Sequence, residues 1–319
     1  MPTELERAIL STLLYADVFD YPLAAGEIWH DLMRERATRE QVHAELDTSP
    51  WLAARLVRCD GWYAVRGRSQ NCGTRARREA SSAQLWAQAR TWLPMLASLP
   101  FVRMISVTGS LAVNNAGSGD DMDLLIVTSP GRVWLVRALV VVVVRMAALL
   151  GTRLCPNYVL SERALEQRSR THYVAHDLSH MAPVYGMDVY DRMRLTNSWT
   201  FDYLPHANVV LHARSEARPG AISRLAKTLL ERVLGGRPGN WLECREYARK
   251  LRKFSALASR AGSAALLDTD HAKGHFNDHG RDVQQAFNNR LTNWMAVDNS
   301  SLESELDKHS LRSELLPAV

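Results

Sequence analysis

The chain has 319 residues, 46% of them hydrophobic, which is enough for packed cores in two or three domains. Its formal net charge of +5, from 39 basic and 34 acidic residues, permits a polyanionic partner without requiring one. The four cysteines form no CxxC pair, so neither a disulfide framework nor a cysteine zinc site is indicated, and without a secretory signal we expect a cytoplasmic protein.

Residues 1–67 have the pattern of three helices followed by a hairpin. Helical periodicity covers 4–19, a second helix follows Pro22, and Thr38 is a favourable N-cap for a third. Two short strand-like runs then flank Asp60-Gly61, which is a strong hairpin signal. This order predicts a winged helix-turn-helix domain.

A winged helix can read DNA through its recognition helix, which here would run from Thr38 to Leu46. This helix carries Arg39 but also Glu40 and Glu45, a charge balance poorly suited to a phosphate backbone. We therefore favour a protein-contact or substrate-presenting role over sequence-specific DNA binding, which stays open as the alternative.

The segment 68–165 contains two strand-like runs joined by a polar turn. The first run, 102–107, leads into Gly109 and Ser110. Glycine allows a sharp turn and close approach of the backbone to a phosphate, and the serine hydroxyl can donate a hydrogen bond to it. The alternative is an ordinary solvated turn, because Gly, Asn and Asp favour such turns without any ligand.

Two carboxylates begin the second run, 122–128, after ten residues that follow Ser110. Asp121 and Asp123 are at positions i and i+2, which share one face of a strand, whereas Asp120 is expected to face away. Side-by-side carboxylates repel one another unless a divalent cation lies between them, and their hard oxygen ligands suit Mg²⁺ or Mn²⁺. The pattern predicts a metal-dependent phosphate site.

These residues resemble the signature of the polymerase-beta-like nucleotidyltransferase superfamily. That signature is Gly with Gly or Ser, about ten residues, and then Asp-hydrophobic-Asp-hydrophobic, which matches Gly109-Ser110 and Asp121-Met122-Asp123-Leu124. Thr108 is a small departure, since the family has a hydrophobic residue there. Three further segments resemble bacterial nucleotidyltransferase-domain proteins that carry an N-terminal winged helix. They are 18–23, 155–162 and a helical segment at 181–192.

The resemblance implies transfer of an NMP from an NTP to an acceptor hydroxyl on a small molecule, a protein or a tRNA. It implies Mg²⁺ or Mn²⁺ as the cofactor, held by Asp121 and Asp123, with Gly109 and Ser110 at the phosphates. It also implies an α+β fold, in which a mixed sheet of the polymerase-beta-like nucleotidyltransferase type follows the winged helix and precedes a C-terminal helical domain.

Family members usually add a third acidic residue on a later strand. The next strand candidate here has Asn157 at that place as the candidate third metal ligand, although an amide is a weak ligand and a poor base. A structural hydrogen bond is the alternative role of Asn157. Glu162, at the far end of the strand, is the other candidate. Because of this departure, the alternative function is a non-catalytic nucleic-acid-binding or regulatory protein that keeps a degraded nucleotidyltransferase fold.

Residues 166–319 are predicted to form a helical domain with a polar tail from Asn299. His176 and His180 share a helix face, but zinc needs at least a third ligand, so a surface or packing role is favoured. Lys273 and His275 are candidates to bind the nucleotide phosphates or assist proton transfer, and a polar helix cap is the alternative for both.

The apolar run at 138–144 is far shorter than the roughly 20 residues that span a bilayer. We expect it to form a buried helix packed on the sheet, although its valines leave a strand open. No membrane partner is therefore expected. The resemblance implies an NTP and an acceptor as partners, and a nucleic acid such as tRNA or DNA stays open.

Overall fold

The computed structural model describes residues 1–212, 214–258, 265–274 and 279–294. Over these ranges the chain is α+β, with a three-stranded antiparallel sheet, a six-stranded mixed sheet and helices around both. The predicted α+β class is thus confirmed. The polar tail predicted from Asn299 lies outside the described residues.

The N-terminal part of the chain has the three helices and the hairpin that the sequence predicts. Its elements are α1 (Glu4–Asp17), β1 (Leu23–Ala24), α2 (Ala25–His30), α3 (Arg39–Thr48), α4 (Pro50–Arg55), β2 (Leu56–Cys59) and β3 (Trp62–Val65). Thr38 caps α3 by accepting a hydrogen bond from the Gln41 amide. Asp60 and Gly61 both have positive φ, as a tight hairpin turn between β2 and β3 requires.

The remaining elements build the large sheet and its covering helices. They are α5 (Gln70–Ala97), β4 (Val102–Thr108), α6 (Gly109–Ala112), β5 (Met122–Thr128), α7 (Val133–Leu149), β6 (Leu154–Ser161), α8 (His172–His180), β7 (Ala182–Tyr185), α9 (Met187–Thr196), the 3-10 helix η1 (Ser198–Asp202), α10 (Ala221–Leu234), α11 (Arg237–Ala258), β8 (Leu266–Leu267) and β9 (His271–Lys273). A helical segment at 279–294 follows.

The six strands lie in the order β7-β4-β5-β6-β9-β8, and β5 and β6 are the parallel pair. Alternate residues face two separate cores, because successive side chains of a strand point to opposite faces. Met122 and Leu124 belong to the core with α5 and α7, whereas Leu125 and Val127 belong to the core with α8 and α9. Alternation therefore places Asp123 on the α8 side of the sheet.

The apolar run at 138–144 lies within α7, which connects β5 to β6 and packs against the sheet. This confirms the predicted buried helix. None of the helices in the described ranges is both long enough and apolar enough to cross a membrane.

The prediction of a helix over 181–192 is wrong for its first half, which is the edge strand β7. Pro183 is tolerated there because an edge strand does not need every backbone amide in the ladder. Gly186 then has a φ of +74°, and a Cβ at this position would overlap the carbonyl oxygen of Arg103. Only after this turn does α9 begin. Strands β7, β8 and β9 all come from the region 166–319. This region, predicted to be helical, therefore also contributes three strands to the sheet.

The expectation that the cysteines are unpaired is also wrong for one pair. Cys59 at the end of β2 and Cys72 in the first turn of α5 are joined as a disulfide, with their Cα atoms 6.4 Å apart. Sequence spacing did not indicate this pair because the hairpin and α5 become neighbours only in the folded chain.

Candidate active site

The turn after β4 is shaped around a glycine that lies against an aspartate. Gly109 has a φ of +68°, and a Cβ on it would be 3.0 Å from Asp123 Oδ2. The contact arises because Thr108 is the register partner of Asp123 in the antiparallel pair β4–β5. Glycine is therefore required at 109 for its backbone conformation and for this close approach.

Ser110 and Asp120 close the loop between the turn and β5. Ser110 Oγ donates to Asp120 Oδ2 at 3.2 Å, and the same oxygen accepts from the Gly117 amide at 2.9 Å. The sequence-based expectation that Asp120 faces away from the site is therefore wrong. Asp120 holds the loop and adds a negative charge near Asp123.

Asp123 is a carboxylate in an unfavourable electrostatic environment. Its pKa is raised to about 6, mainly by burial and also by the negative charges of Asp177, Asp121 and Asp120, against the opposing effect of a hydrogen bond with Cys155. Desolvation and like charges are the combination that a bound cation would relieve. The site around Asp123 therefore fits a divalent cation with oxygen ligands.

Asp177, on α8, is a third carboxylate near Asp123 that the sequence analysis did not assign to the site. Its side chain is exposed, yet desolvation by the surrounding protein raises its pKa. We use the name acidic site for Gly109, Ser110, Asp121, Asp123 and Asp177.

No spacing in the sequence connects residue 177 to residues 109–123. The connection depends on α8, which packs over the face of the sheet that carries Asp123. The only hint was an acidic residue next to two helical histidines, and that pattern by itself indicates no site.

Cys155, rather than Asn157, is the β6 residue beside Asp123. The register then shifts, so that Pro156 and Asn157 together lie opposite Leu124, whose side chain is in the core on the other face of the sheet. The structure thus does not bring Asn157 next to the aspartates. Burial and the neighbouring Asp123 raise the pKa of Cys155 to about 12. A sulfur ligand also suits Mg²⁺ poorly, because Mg²⁺ prefers oxygen ligands.

Glu162 lies at the opposite end of the sheet from the acidic site. Its backbone amide bonds to Thr128 O, five residues along β5 from Asp123 and hence roughly 17 Å away. Its carboxylate pairs with Arg192 at 2.5 Å. Glu162 is therefore excluded as a third ligand beside Asp123.

Lys273 lies on β9, and its ammonium group is 5.5 Å from the centre of the Tyr158 ring. The charge of the same ammonium opposes the rise in the pKa of Asp177, which indicates a positive charge near the acidic site. The structure thus brings Lys273 near the other predicted residues. His275, the second predicted phosphate contact, lies outside the described residues.

Three potential metal ligands do come together elsewhere. Over the described ranges, His30, Asp31 and His180 are the only such trio with ligand atoms all within 4.8 Å of one another. The acidic site offers two strand carboxylates and Asp177 nearby, without such a preassembled trio. Comparisons of this chain with family models, curated proteins and solved structures find no match.

Proposed function

We propose that this protein is a metal-dependent nucleotidyltransferase that moves an NMP from an NTP to an acceptor hydroxyl. The observation that carries the proposal is the packing of the Gly109 turn against the desolvated Asp123 carboxylate, with Asp121 and Asp177 close by. This places a backbone turn suited to phosphate beside carboxylates suited to Mg²⁺.

The finer fold assignment is part of the same proposal. The three predicted helices, the additional short helix α4 and the β2–β3 hairpin support a winged helix at the N-terminus. Strand β4, the Gly109 turn and the aspartates of β5 support a sheet of the polymerase-beta-like nucleotidyltransferase type.

Each residue of the acidic site has a separate role in this proposal. Asp121 and Asp123 would hold Mg²⁺ or Mn²⁺, which when bound neutralises the charge of the triphosphate. The Gly109 turn and the Ser110 hydroxyl bind the phosphates, and the Lys273 ammonium pairs with their negative charge. Phosphate oxygens thereby replace Asp120 as the acceptor of the Ser110 hydrogen bond.

The reaction forms a bond between the acceptor oxygen and the α-phosphorus and breaks the bond from that phosphorus to the bridging oxygen, releasing pyrophosphate. The acceptor hydroxyl must lose its proton. Asp177 is suited to take it, because desolvation raises its pKa and makes its carboxylate a stronger base than an ordinary aspartate.

The second candidate is a non-catalytic nucleic-acid-binding or regulatory protein. The observation that favours it is the position of Cys155 beside Asp123, where a third carboxylate would complete a metal site. Such a protein would bind DNA or RNA independently of Asp121 and would lose affinity when Arg39 is replaced by Ala.

Calorimetric titration with each of the four NTPs, with and without Mg²⁺, tests the proposal. Wild type should bind at least one NTP in a Mg²⁺-dependent manner, and Asp123→Asn should abolish that dependence and lower transfer about 100-fold or more. Asp188→Asn, an exposed aspartate at the start of α9, is the matched control and should behave as wild type.

Full activity of Asp123→Asn would contradict the assignment of the site. Absence of NTP binding, together with a gel shift at low salt that Arg39→Ala weakens, would support the second candidate.

A further inference from the structure

A buried cluster of histidines surrounds a single aspartate between α2 and α8. His30 ends α2, Asp31 follows it, and His180 ends α8. Asp31 Oδ1 is 2.6 Å from His30 Nδ1 and 2.7 Å from His180 Nε2. Only 3% of His30 and 5% of Asp31 are exposed, so neither side chain reaches solvent. We call His30, Asp31 and His180 the histidine cluster.

A backbone contact fixes the orientation of the His30 ring. His30 Nε2 is 2.9 Å from the carbonyl oxygen of Val209. A carbonyl only accepts, so Nε2 carries the proton in this contact and Nδ1 is directed to the centre of the cluster. Metal-binding histidines usually donate their second ring nitrogen to a carbonyl or a carboxylate in this way.

A third imidazole lies beside the cluster, and one of its ring nitrogens has no hydrogen-bond partner among the described residues. His176 is one helical turn before His180, and their ring centroids are 5.2 Å apart. Its Nε2 is buried and has no partner within the part of the chain that the structure describes, while Tyr15 stacks on the ring at 4.2 Å. Burying an unpaired ring nitrogen is unfavourable, and a ligand would remove that penalty.

We propose that His30, Asp31 and His180 bind one divalent transition-metal ion of the Zn²⁺ class, with His176 beside the fourth coordination position. Two imidazole nitrogens with one carboxylate oxygen suit Zn²⁺, whereas Mg²⁺ and Ca²⁺ prefer oxygen ligands throughout. Because the cluster is buried, the metal is structural and connects α2 to the helix that carries Asp177. This proposal does not depend on the proposed transferase activity.

The test uses the full-length protein without an affinity tag, stripped with a chelator and dialysed against Zn²⁺. Elemental analysis should give one zinc per chain, and zinc should raise the melting temperature. His180→Ala should weaken zinc affinity at least about 100-fold, since even second-shell partners of metal ligands are worth about 10- to 100-fold. His43→Ala, an exposed histidine on α3, is the control and should keep wild-type zinc binding.

Co²⁺ substitution of the wild type provides a measurement that does not depend on the folding of a variant. Absorption of a site with nitrogen and oxygen ligands is expected, without thiolate charge-transfer bands. Such bands would assign the metal to a cysteine and overturn the proposal, as would absence of stoichiometric zinc in the wild type.

Asp123→Asn separates this proposal from the transferase proposal. The variant should keep the zinc while losing Mg²⁺-dependent NTP binding. Loss of both metals in Asp123→Asn would contradict the assignment of zinc to the histidine cluster.

Discussion

The acidic site and the histidine cluster each contain a desolvated aspartate, but their surroundings have opposite charge. Asp31 accepts hydrogen bonds from His30 and His180, and these two histidines hold its pKa well below the usual range despite burial. Asp123 has carboxylates as neighbours, and its pKa rises to about 6. Burial acts in the same direction on both, so the sign of the neighbouring charges decides whether the pKa of each aspartate moves up or down.

The two aspartates also differ in the role of their charge, which stabilises the fold in one region and is placed for function in the other. The Asp31 carboxylate is paired within the protein and stabilises the contact between α2 and α8. The Asp123 carboxylate opposes its own neighbours and becomes favourable only when a cation binds. Desolvated groups with like-charged partners are typical of functional sites, and we expect mutations in the two regions to change stability in opposite directions.

The largest effect is expected for Asp31→Ala. Removing one partner of a buried ion pair leaves the other without compensation, so the free energy of unfolding of the metal-free protein should fall by about 3–5 kcal/mol. Urea denaturation in the presence of a chelator measures this change. A loss below about 1 kcal/mol would show that the histidine cluster contributes little as a paired group.

The next effect concerns His172, which packs among Tyr15, His176, Tyr203 and Phe287. Burial lowers its pKa to about 4, the charge of Arg34 adds to the shift, and Asp31 opposes it. The unfolded chain takes up this proton near pH 6.5 and the folded chain only near pH 4. Stability should therefore fall by about 2–3 kcal/mol as the pH drops from 6.5 to 4.

His172→Phe should reduce this pH dependence, because phenylalanine fills the same aromatic environment without titrating. Thermal melts of the wild type and of His172→Phe at pH 7, 5.5 and 4.5 measure this pH dependence. Some dependence should remain, since burial also lowers the pKa of His176. If the melting temperature falls equally with pH in the two proteins, His172 is not a source of the pH dependence.

A smaller effect of opposite sign is expected for Asp123→Asn. Above pH 6 the folded chain holds an ionised carboxylate among like charges, so the neutral amide should raise the free energy of unfolding by about 1–2 kcal/mol without Mg²⁺. Below pH 6 the wild-type carboxyl takes up a proton and the gain should shrink. Chemical denaturation at pH 8 and pH 5 distinguishes this pH-dependent gain in stability from an effect of the substitution that is the same at both pH values.

The smallest effect is expected for Ser110→Ala. Its hydroxyl donates a hydrogen bond to the exposed Asp120, so stability should change by less than about 1 kcal/mol. If Ser110 binds phosphate, NTP affinity should nevertheless fall several-fold in calorimetry, by the loss of one hydrogen bond to a charged group. Unchanged NTP affinity would leave the Gly109 backbone as the phosphate contact on this loop.

Much of the fold could be predicted because local patterns were strong. The Thr38 cap, the Asp60-Gly61 turn and the apolar periods of β5 and α7 each depend on a few neighbouring residues. The helix predicted over 181–192 failed because its apolar spacing suits either structure in a short run. The position of β7 beside β4 and the turn at Gly186 decided in favour of a strand.

The candidate site was predictable only as far as it is local. Gly109, Ser110, Asp121 and Asp123 fall within 15 residues, and one β4–β5 pairing brings the glycine to Asp123. The neighbour on β6 depends on register, which pairs Cys155 with Asp123, and the one-residue shift that follows puts Tyr158 rather than Asn157 beside Leu125. Such a shift leaves no clear mark in the composition of a strand.

By itself, the sequence determined the three predicted N-terminal helices, the Asp60-Gly61 hairpin and the spacing of Asp121 and Asp123 after Gly109, because these depend on period and short spacing. Only the tertiary structure decided that Asp177 joins the acidic site and that His30 and Asp31 meet His180, about 150 residues farther along the chain. The physical reason is that electrostatic environment depends on distance in space. Packing of α8 on the sheet sets that distance, and chain spacing does not record it.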